Sequence, residues 1–340
     1  MQFIKNFFSS IVITFIGLGV GIYLYPDNIA ATVYSILILS LLEISLSFDN
    51  AVINAKTLAT MSEFWQKMFM IIGMPIAVFG MRLIFPILLV SMTSSLGFVD
   101  VIKLATTNPG QYQVILETSM PLICSFGGAF LLMVFLNFFL SDNENTHWIK
   151  IIENNILIRK IKDYDGGYIV FAIIIGFFVT LYSPQETQGK IALAFFLGVI
   201  IHEVLGILTS IFNKPQLNTT NIAKNGLIGF IYLEVIDASF SFDGVIGAFA
   251  ISTNIIIIMI GLGIGAMFVR SLTILFLKNK TLSKYIYLEH GAHYAIGFLA
   301  IILICKMFIH VPEWFSGSIG ILILAISFVH SMVDNKKETR

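Results

Sequence analysis

EISLSFDN at positions 43–50 and DASFSFDG at positions 237–244 are two related acidic octapeptides, each near the middle of a long apolar run. Aligning Ser-Phe-Asp on Ser-Phe-Asp places Glu43 opposite Asp237. The apolar run that follows each octapeptide carries an arginine deep inside it, Arg82 in the first copy and Arg270 in the second, and a glycine-containing apolar run comes next in both. The sequence therefore predicts an internal repeat of two three-helix units.

The composition indicates that lipid solvates most of the chain. Hydrophobic residues make up 57% of the sequence and charged residues 12%, with a mean hydropathy of +0.90, whereas about 25% of residues are charged in an average soluble domain. A helix needs about 20 mostly apolar residues to cross a bilayer. Ten segments approach that length, at about 7–25, 31–55, 67–92, 120–140, 167–183, 190–212, 226–250, 254–277, 293–310 and 316–333. We predict an all-α, polytopic transmembrane helical bundle.

The repeat divides the predicted single membrane domain, residues 1–340, into four parts. These are repeat one, a cytoplasmic linker with two intervening spans, repeat two, and a last span with a cytoplasmic tail, at residues 31–140, 141–225, 226–310 and 311–340. Matching helices are five crossings apart, and an odd offset inverts the second copy. Inverted repeats with a site near the bilayer midplane are a recurrent plan in secondary transporters.

Basic residues predict the orientation. If the spans alternate, one side of the membrane receives fifteen Lys and Arg residues and the other only Lys103 and Lys190. Cytoplasmic loops carry such an excess, so we expect both termini in the cytoplasm. The apolar run near the N-terminus lacks the small-residue cleavage site of a signal peptide and is interpreted as a retained span.

Several function classes are disfavoured. The net charge is zero, so no basic surface suits a nucleic-acid partner. Cys124 and Cys305 lie in apolar runs and are interpreted as packing residues. Glu289-His290-Gly-Ala-His293 lacks the order and spacing of the zinc-protease motif, and no convincing nucleophile and base pair is present. We predict that the protein is not an enzyme and holds no permanent cofactor.

Six carboxylates fall within the predicted spans: Glu43, Asp49, Glu203, Glu234, Asp237 and Asp243. Each charge costs roughly 2.5–3.5 kcal/mol at a helix centre, so something must neutralise them. Pairing with arginine or lysine, together with protonation, is one explanation. A bound cation is the other, because neutral oxygens accompany the acids and hard cations such as manganese, magnesium or calcium prefer oxygen ligands. Protons and sodium remain open. The predicted ligands are Glu43, Asp49, Asn50, Asp237, Ser241 and Asp243.

In a regular helix, Glu43 and Asp49 would point about 120° apart. Asn50 and Gly244 are poor helix formers, so we expect a local helix break in each octapeptide, which would turn the carboxylates toward one ion.

Further polar residues are candidates for gating or charge compensation: Arg82, Glu234, Arg270, His202, Glu203, Glu289, His290 and His293. The two arginines could hold the carboxylates in place or act as an internal counter-charge. His202 and Glu203 could form a proton relay, because histidine titrates near neutrality, or a hydrogen-bonded core contact. His290 and His293 could serve ion entry or only cap a helix end. The glycines of 261–265 predict close helix packing.

The pattern E-x3-S-F-D-N from Glu43, G-M-R ending at Arg82 and D-x2-F-S-x-D from Asp237 resembles the signature of the TerC family of integral membrane proteins, within the LysE-type transporter group. The resemblance covers about residues 31–310. It implies export of a divalent cation, above all Mn²⁺, from the bacterial cytoplasm, with Glu43, Asp49, Asp237 and Asp243 at the acidic positions. The segment 289–293 is similar to a DUF-type branch of that family.

Taken together, these observations predict an exporter of a divalent cation in the bacterial inner membrane. The metal ion and the lipid bilayer are its expected partners, and homo-oligomers are an open expectation. The alternative is a membrane chaperone or metallation factor for exported proteins, in which the buried acids are structural.

Overall fold

The computed structural model describes residues 2–73, 75–76, 79–80, 84, 87–88, 90–91, 94, 96–140, 147–153, 158, 160, 166–212, 220–249, 251–252, 254–279, 284–309 and 311–338. The description covers the backbone alone for residues 2–6, 70, 209–212, 220–225, 239–243, 246–247, 249, 313–314, 316–317 and 335–338. The regular secondary structure of these residues is helical, with no β-strand among them, which confirms the predicted all-α class.

Thirteen α-helices lie within the described residues. In chain order they are α1 Gln2–Leu24, α2 Ile29–Leu46, α3 Phe48–Ala59, α4 Glu63–Met68, α5 Phe98–Thr107, α6 Pro109–Leu140, α7 Lys150–Glu153, α8 Gly167–Tyr182, α9 Gln188–Phe212, α10 Thr220–Phe249, α11 Ile255–Lys278, α12 Leu288–Lys306 and α13 Glu313–Glu338. A 3₁₀ turn, Pro26–Asn28, precedes α2, and a π-helical turn, Phe69–Gly73, follows α4.

Among the described helices, 6 are long and apolar enough to cross a membrane, and they lie at Phe7–Leu24, Pro26–Leu46, Pro109–Leu140, Gln188–Leu208, Ile255–Lys278 and Leu288–Lys306. Two shorter apolar helical stretches occur at Gly167–Tyr182 and Ser318–Asp334. Since the backbone of a spanning segment must satisfy its own hydrogen bonds in lipid, helices of this length and composition belong in a bilayer. The chain is a multi-pass membrane protein.

The helices correspond to the predicted spans with shifted ends. The helix for the fourth span begins at Pro109 rather than near residue 120, and the helix for the ninth span covers Leu288–Lys306 rather than 293–310. Most of the predicted third span, 67–92, lies outside the described residues. Polar residues at a helix start explain the shifts, because an apolar run marks the lipid-buried part of a helix and not its first turns.

The chain packs as two compact units. Unit 1 comprises Met1–Met120 with Gly229–Asn279, and unit 2 comprises Pro121–Ile228 with Lys280–Arg340. In unit 1, α2 lies against α11 through glycines one turn apart. A Cβ at Gly261 would lie 2.5 Å from Cβ of Leu39, and one at Gly265 would lie 2.4 Å from Cβ of Glu43. Only glycine allows this approach, the small-residue packing typical of membrane helices.

Unit 2 uses the same principle between other helices. A Cβ at Gly198 on α9 would lie 2.5 Å from the Phe126 carbonyl oxygen on α6. On α12, a Cβ at Gly291 would lie 2.2 Å from Oγ of Ser327 on α13. Glycine therefore allows close approach in both helix pairs.

Candidate cation site

The first acidic octapeptide lies across a helix break in unit 1. Helix α2 ends at Leu46 and α3 begins at Phe48, and Ser47 between them has φ −109° and ψ 14°. The Ser47 hydroxyl donates to Oε1 of Glu43 at 2.6 Å, and its backbone N–H donates to the Glu43 carbonyl at 3.0 Å. The break predicted for this octapeptide is confirmed, and it comes at the serine.

The second octapeptide has no such break, because α10 runs without interruption through residues 237–244 to Phe249. The prediction of a second break at Gly244 is wrong. Gly244 serves a contact instead. A Cβ at this position would lie 3.0 Å from Oε2 of Glu43, so the missing side chain leaves room for the carboxylate of the other octapeptide.

Glu43 is fully buried between three helices. Its carboxylate reaches Gly244 on α10. Its Cβ lies so close to Gly265 on α11 that a Cβ on that glycine would be only 2.4 Å away. Ser40, one turn earlier, donates its hydroxyl to the Gly261 carbonyl at 3.0 Å. Glycines on two neighbouring helices thus fix the position of this acid.

Asn50 joins the two octapeptides directly. Its side-chain Nδ2 donates to Oδ1 of Asp237 at 2.7 Å, across 187 residues of sequence. Asp49, also buried, accepts the Asn50 backbone N–H at 3.0 Å. An acid of one repeat and an amide of the other therefore meet inside unit 1, as the repeat alignment predicted.

The contacts between the octapeptides define an antiparallel register. Moving from Glu43 to Asn50 on α2 and α3 corresponds to moving from Gly244 back to Asp237 on α10. Farther along, a Cβ at Gly229 on α10 would lie 3.3 Å from the Met61 sulfur. The two motif-bearing segments run in opposite directions, which is what an inverted repeat requires.

Arg270 is held beside two acids of α10. Its Nη2 donates to the Phe69 carbonyl of the π-helical turn, and its guanidinium lies 5.4 Å from the Phe69 ring centre. Glu234 and Asp237 are its electrostatic partners. Glu234 is buried, and a Cβ at Gly73 would lie 2.8 Å from its Oε1. A fixed positive charge therefore compensates part of the negative charge of α10.

Some predicted site residues lie outside what the structure describes. Arg82 is not among the described residues, and the side chains of Ser241 and Asp243 belong to the stretch described by its backbone alone. Their roles stay predictions. Within the described part of the chain, no three His, Cys, Asp or Glu residues form a group suited to a metal ion. Any site there must draw on amide, hydroxyl or backbone oxygens as well.

His202 and Glu203 contact each other in unit 2. Nδ1 of His202 lies 3.1 Å from Oε1 of Glu203, and the Tyr168 hydroxyl donates to Oε2 of Glu203 at 3.2 Å. The Phe130 ring meets the buried imidazole edge-on at 5.8 Å. The geometry suits a hydrogen-bonded core contact, and the proton relay stays a prediction.

Glu153 is a residue that sequence analysis missed, because it lies in a polar stretch outside the predicted spans. It is buried in unit 2, and its carboxylate accepts hydrogen bonds from the backbone N–H groups of Trp148 and Ile149 and from the Tyr294 hydroxyl, at 2.8, 3.1 and 3.1 Å. Nε2 of His290 lies 3.7 Å from its Oε2. His290 therefore belongs to an anchor for the segment that contains α7.

His293 and Glu289 have helix-end contacts. Nδ1 of His293 lies 2.9 Å from the Glu289 carbonyl oxygen one turn earlier. The imidazole stacks on Phe138 at 3.6 Å between ring centres, with 8° between the planes. These contacts match the helix-end hydrogen bonding considered above, and the gating role stays a prediction.

Asn54 is a second residue that sequence analysis did not identify as part of the polar site. It is 3% exposed, and its Oδ1 has no hydrogen-bond partner in the described structure; the same holds for Oδ1 of Asn50, which is fully buried. The signal was in the sequence, because Asn54 follows Asn50 at the i, i+4 spacing that places both on one helix face.

Comparison with known proteins yields one family. A family profile described as "Protein of unknown function (DUF475)" matches residues 48–338. No curated protein and no solved structure matches the chain.

Proposed function

The chain belongs to the DUF475 family, and from its buried acidic site we propose that it is a membrane transporter that exports a divalent cation from the cytoplasm, with Mn²⁺ as the favoured ion. The observation that carries the proposal is the meeting of the two octapeptides: Asn50 donates to Asp237, and the Glu43 carboxylate lies against Gly244. Polar groups of both octapeptides thus contact each other inside a lipid-solvated bundle, where ionisable groups mark ion pathways.

The chemistry of the surrounding groups favours a hard cation. Glu43, Asp49 and Asp237 supply carboxylate oxygens and Ser47 a hydroxyl, and hard divalent cations prefer such oxygen ligands. Manganese among these ions rests on the resemblance to the TerC signature. The bacterial inner membrane and the cytoplasmic termini rest on that resemblance and on the distribution of basic residues.

The test is ion movement by the purified protein. Liposomes containing a Mn²⁺-quenched dye should lose fluorescence faster with the wild-type protein than without it. Asp237→Asn and Asp49→Asn should slow the quenching at least about tenfold, because each removes a charged ligand. A scaffold or metallation factor would move no ions in this assay.

The matched control is Asp100→Asn, the same chemical change at an exposed position on α5. It should transport like the wild-type protein. Wild-type rates in both the Asp49 and Asp237 variants, or no Mn²⁺ movement by the wild-type protein at all, would overturn the proposal.

A further inference from the structure

A polar stripe continues from the acidic octapeptide toward the end of α3. Glu43, Ser47, Asn50 and Asn54 follow one another at spacings of four, three and four residues, and all four are buried. On α3, the i, i+4 spacing places Asn50 and Asn54 on one helix face, and the hydrogen bond from Ser47 to Glu43 continues the polar stripe across the break. The stripe therefore extends one turn beyond the contact between Asn50 and Asp237.

The two amides of the stripe present oxygens without ordinary partners. Oδ1 of Asn50 and Oδ1 of Asn54 are buried, and neither accepts a hydrogen bond in the described structure. Buried polar atoms are nearly always hydrogen-bonded, so such an exception in a native protein requires an explanation, and a bound ion is one. Both atoms lie on the same face of α3, one turn apart.

The antiparallel register identifies what lies across from Asn54. Asn50 contacts Asp237, and four residues farther along α3 correspond to a position about four residues back on α10, next to Glu234. With a rise of 1.5 Å per residue, this level lies about 6 Å from the contact between Asn50 and Asp237. In the predicted orientation, that displacement is toward the cytoplasm.

We propose that the amide oxygens of Asn50 and Asn54 and the carboxylate of Glu234 form a second cation position, one helical turn on the cytoplasmic side of the acidic site. This inference rests on the proposed function, because it assigns the step by which the exported ion enters that site. Asn50 would connect the two positions, since its nitrogen bonds Asp237 and its buried oxygen, which has no hydrogen-bond partner in the described structure, is left for the second position.

The charges at this level suit brief occupancy by the ion. Two neutral amide oxygens and one carboxylate are ligands that hard cations accept. Arg270, an electrostatic partner of Glu234, offsets part of the negative charge. The ion is therefore held more weakly here than among the acids beyond, as stepwise conduction between neighbouring sites requires.

Asn54→Leu separates this role from a structural one. Replacing a buried amide whose oxygen lacks a partner by an apolar side chain with the same branched skeleton should leave the melting temperature unchanged or raise it. In inside-out vesicles the cytoplasmic face of the protein points outward. The KM for Mn²⁺ uptake into these vesicles should rise about tenfold, because an entry ligand is lost. The increase in melting temperature caused by Mn²⁺ should persist, because the acidic site is intact.

Thr273→Val is the matched control, since it also replaces a buried polar side chain of unit 1 by an apolar one. The Thr273 hydroxyl donates to the Val269 carbonyl of its own helix, so its loss should leave the KM unchanged.

The outcomes distinguish this inference from the proposed function. If the wild-type protein transports, Asp237→Asn does not, and Asn54→Leu keeps the wild-type KM, the second position is wrong and the acidic site stands. If Asn54→Leu lowers the melting temperature together with transport, Asn54 is a structural residue, and the inference is again overturned. If the wild-type protein moves no Mn²⁺, the proposed function itself fails.

Discussion

At the scale of single residues, Glu153 and Asn54 show opposite ways of burying a polar group. Glu153 accepts three hydrogen bonds, from two backbone N–H groups and one tyrosine hydroxyl, which is the arrangement of a group that stabilises the fold. The Asn54 oxygen accepts none in the described structure, so its burial contributes nothing evident to stability. We therefore expect mutation of Glu153 to affect folding and mutation of Asn54 to affect transport.

Glu153→Ala should destabilise unit 2 by about 3 kcal/mol or more, because it leaves the two N–H groups and the Tyr294 hydroxyl without their acceptor, at about 1–3 kcal/mol for each buried donor. Glu153→Gln, which keeps an acceptor oxygen, should cost less, and Tyr294→Phe, which removes one bond, least. The melting temperature gives the order, and hydrogen exchange of residues 147–153 should quicken in the same order. Equal melting temperatures for Glu153→Ala and the wild-type protein would contradict the anchoring role.

At the scale of helices, the sequence predicted which segments are helical better than it predicted how the helices contact one another. The glycines of 261–265 predicted close packing, and Gly261 and Gly265 do bring α11 against α2. The break in the first octapeptide was predicted, but the one at Gly244 was not found, because propensity cannot tell a glycine that ends a helix from one that admits a neighbouring side chain. Only the position of Glu43 distinguishes the two uses.

Gly265→Ala should separate α2 from α11 and displace Glu43. The added methyl group would meet the Glu43 Cβ and the Ser40 carbonyl oxygen at 2.4 and 2.7 Å, and a backbone atom cannot move aside cheaply, so we expect a loss of about 1–3 kcal/mol or more together with slower Mn²⁺ transport. The control is Gly19→Ala on α1, where no atom lies within 4 Å of the new methyl group. Its melting temperature should match or exceed that of the wild-type protein, because alanine favours a helix more than glycine does; a similar loss in both variants would contradict the packing explanation.

At the scale of the whole molecule, hydropathy and the repeat predicted a multi-pass helical membrane protein with two facing acidic motifs. They could not predict the anchor at Glu153 or the proposed second cation position, because these depend on contacts between segments far apart in the sequence. The contact of Asn50 with Asp237 could be predicted only as a region, since the repeat aligns the motifs without fixing their register. The antiparallel register of unit 1 fits an inverted repeat, and the orientation in the membrane follows from charge alone.

That orientation predicts which face of the membrane each exposed position occupies. In a variant without Cys124 and Cys305, a single cysteine in place of exposed Thr107 should react with an impermeant maleimide in intact spheroplasts, because the loop after the third predicted span is external. A cysteine in place of exposed Asn279 should react only after permeabilisation. Glu186→Cys serves as a second external control between the fifth and sixth predicted spans. Labelling of Asn279→Cys in intact spheroplasts would show that the orientation is the opposite one. The second cation position would then lie on the exit side of the acidic site rather than at its entrance.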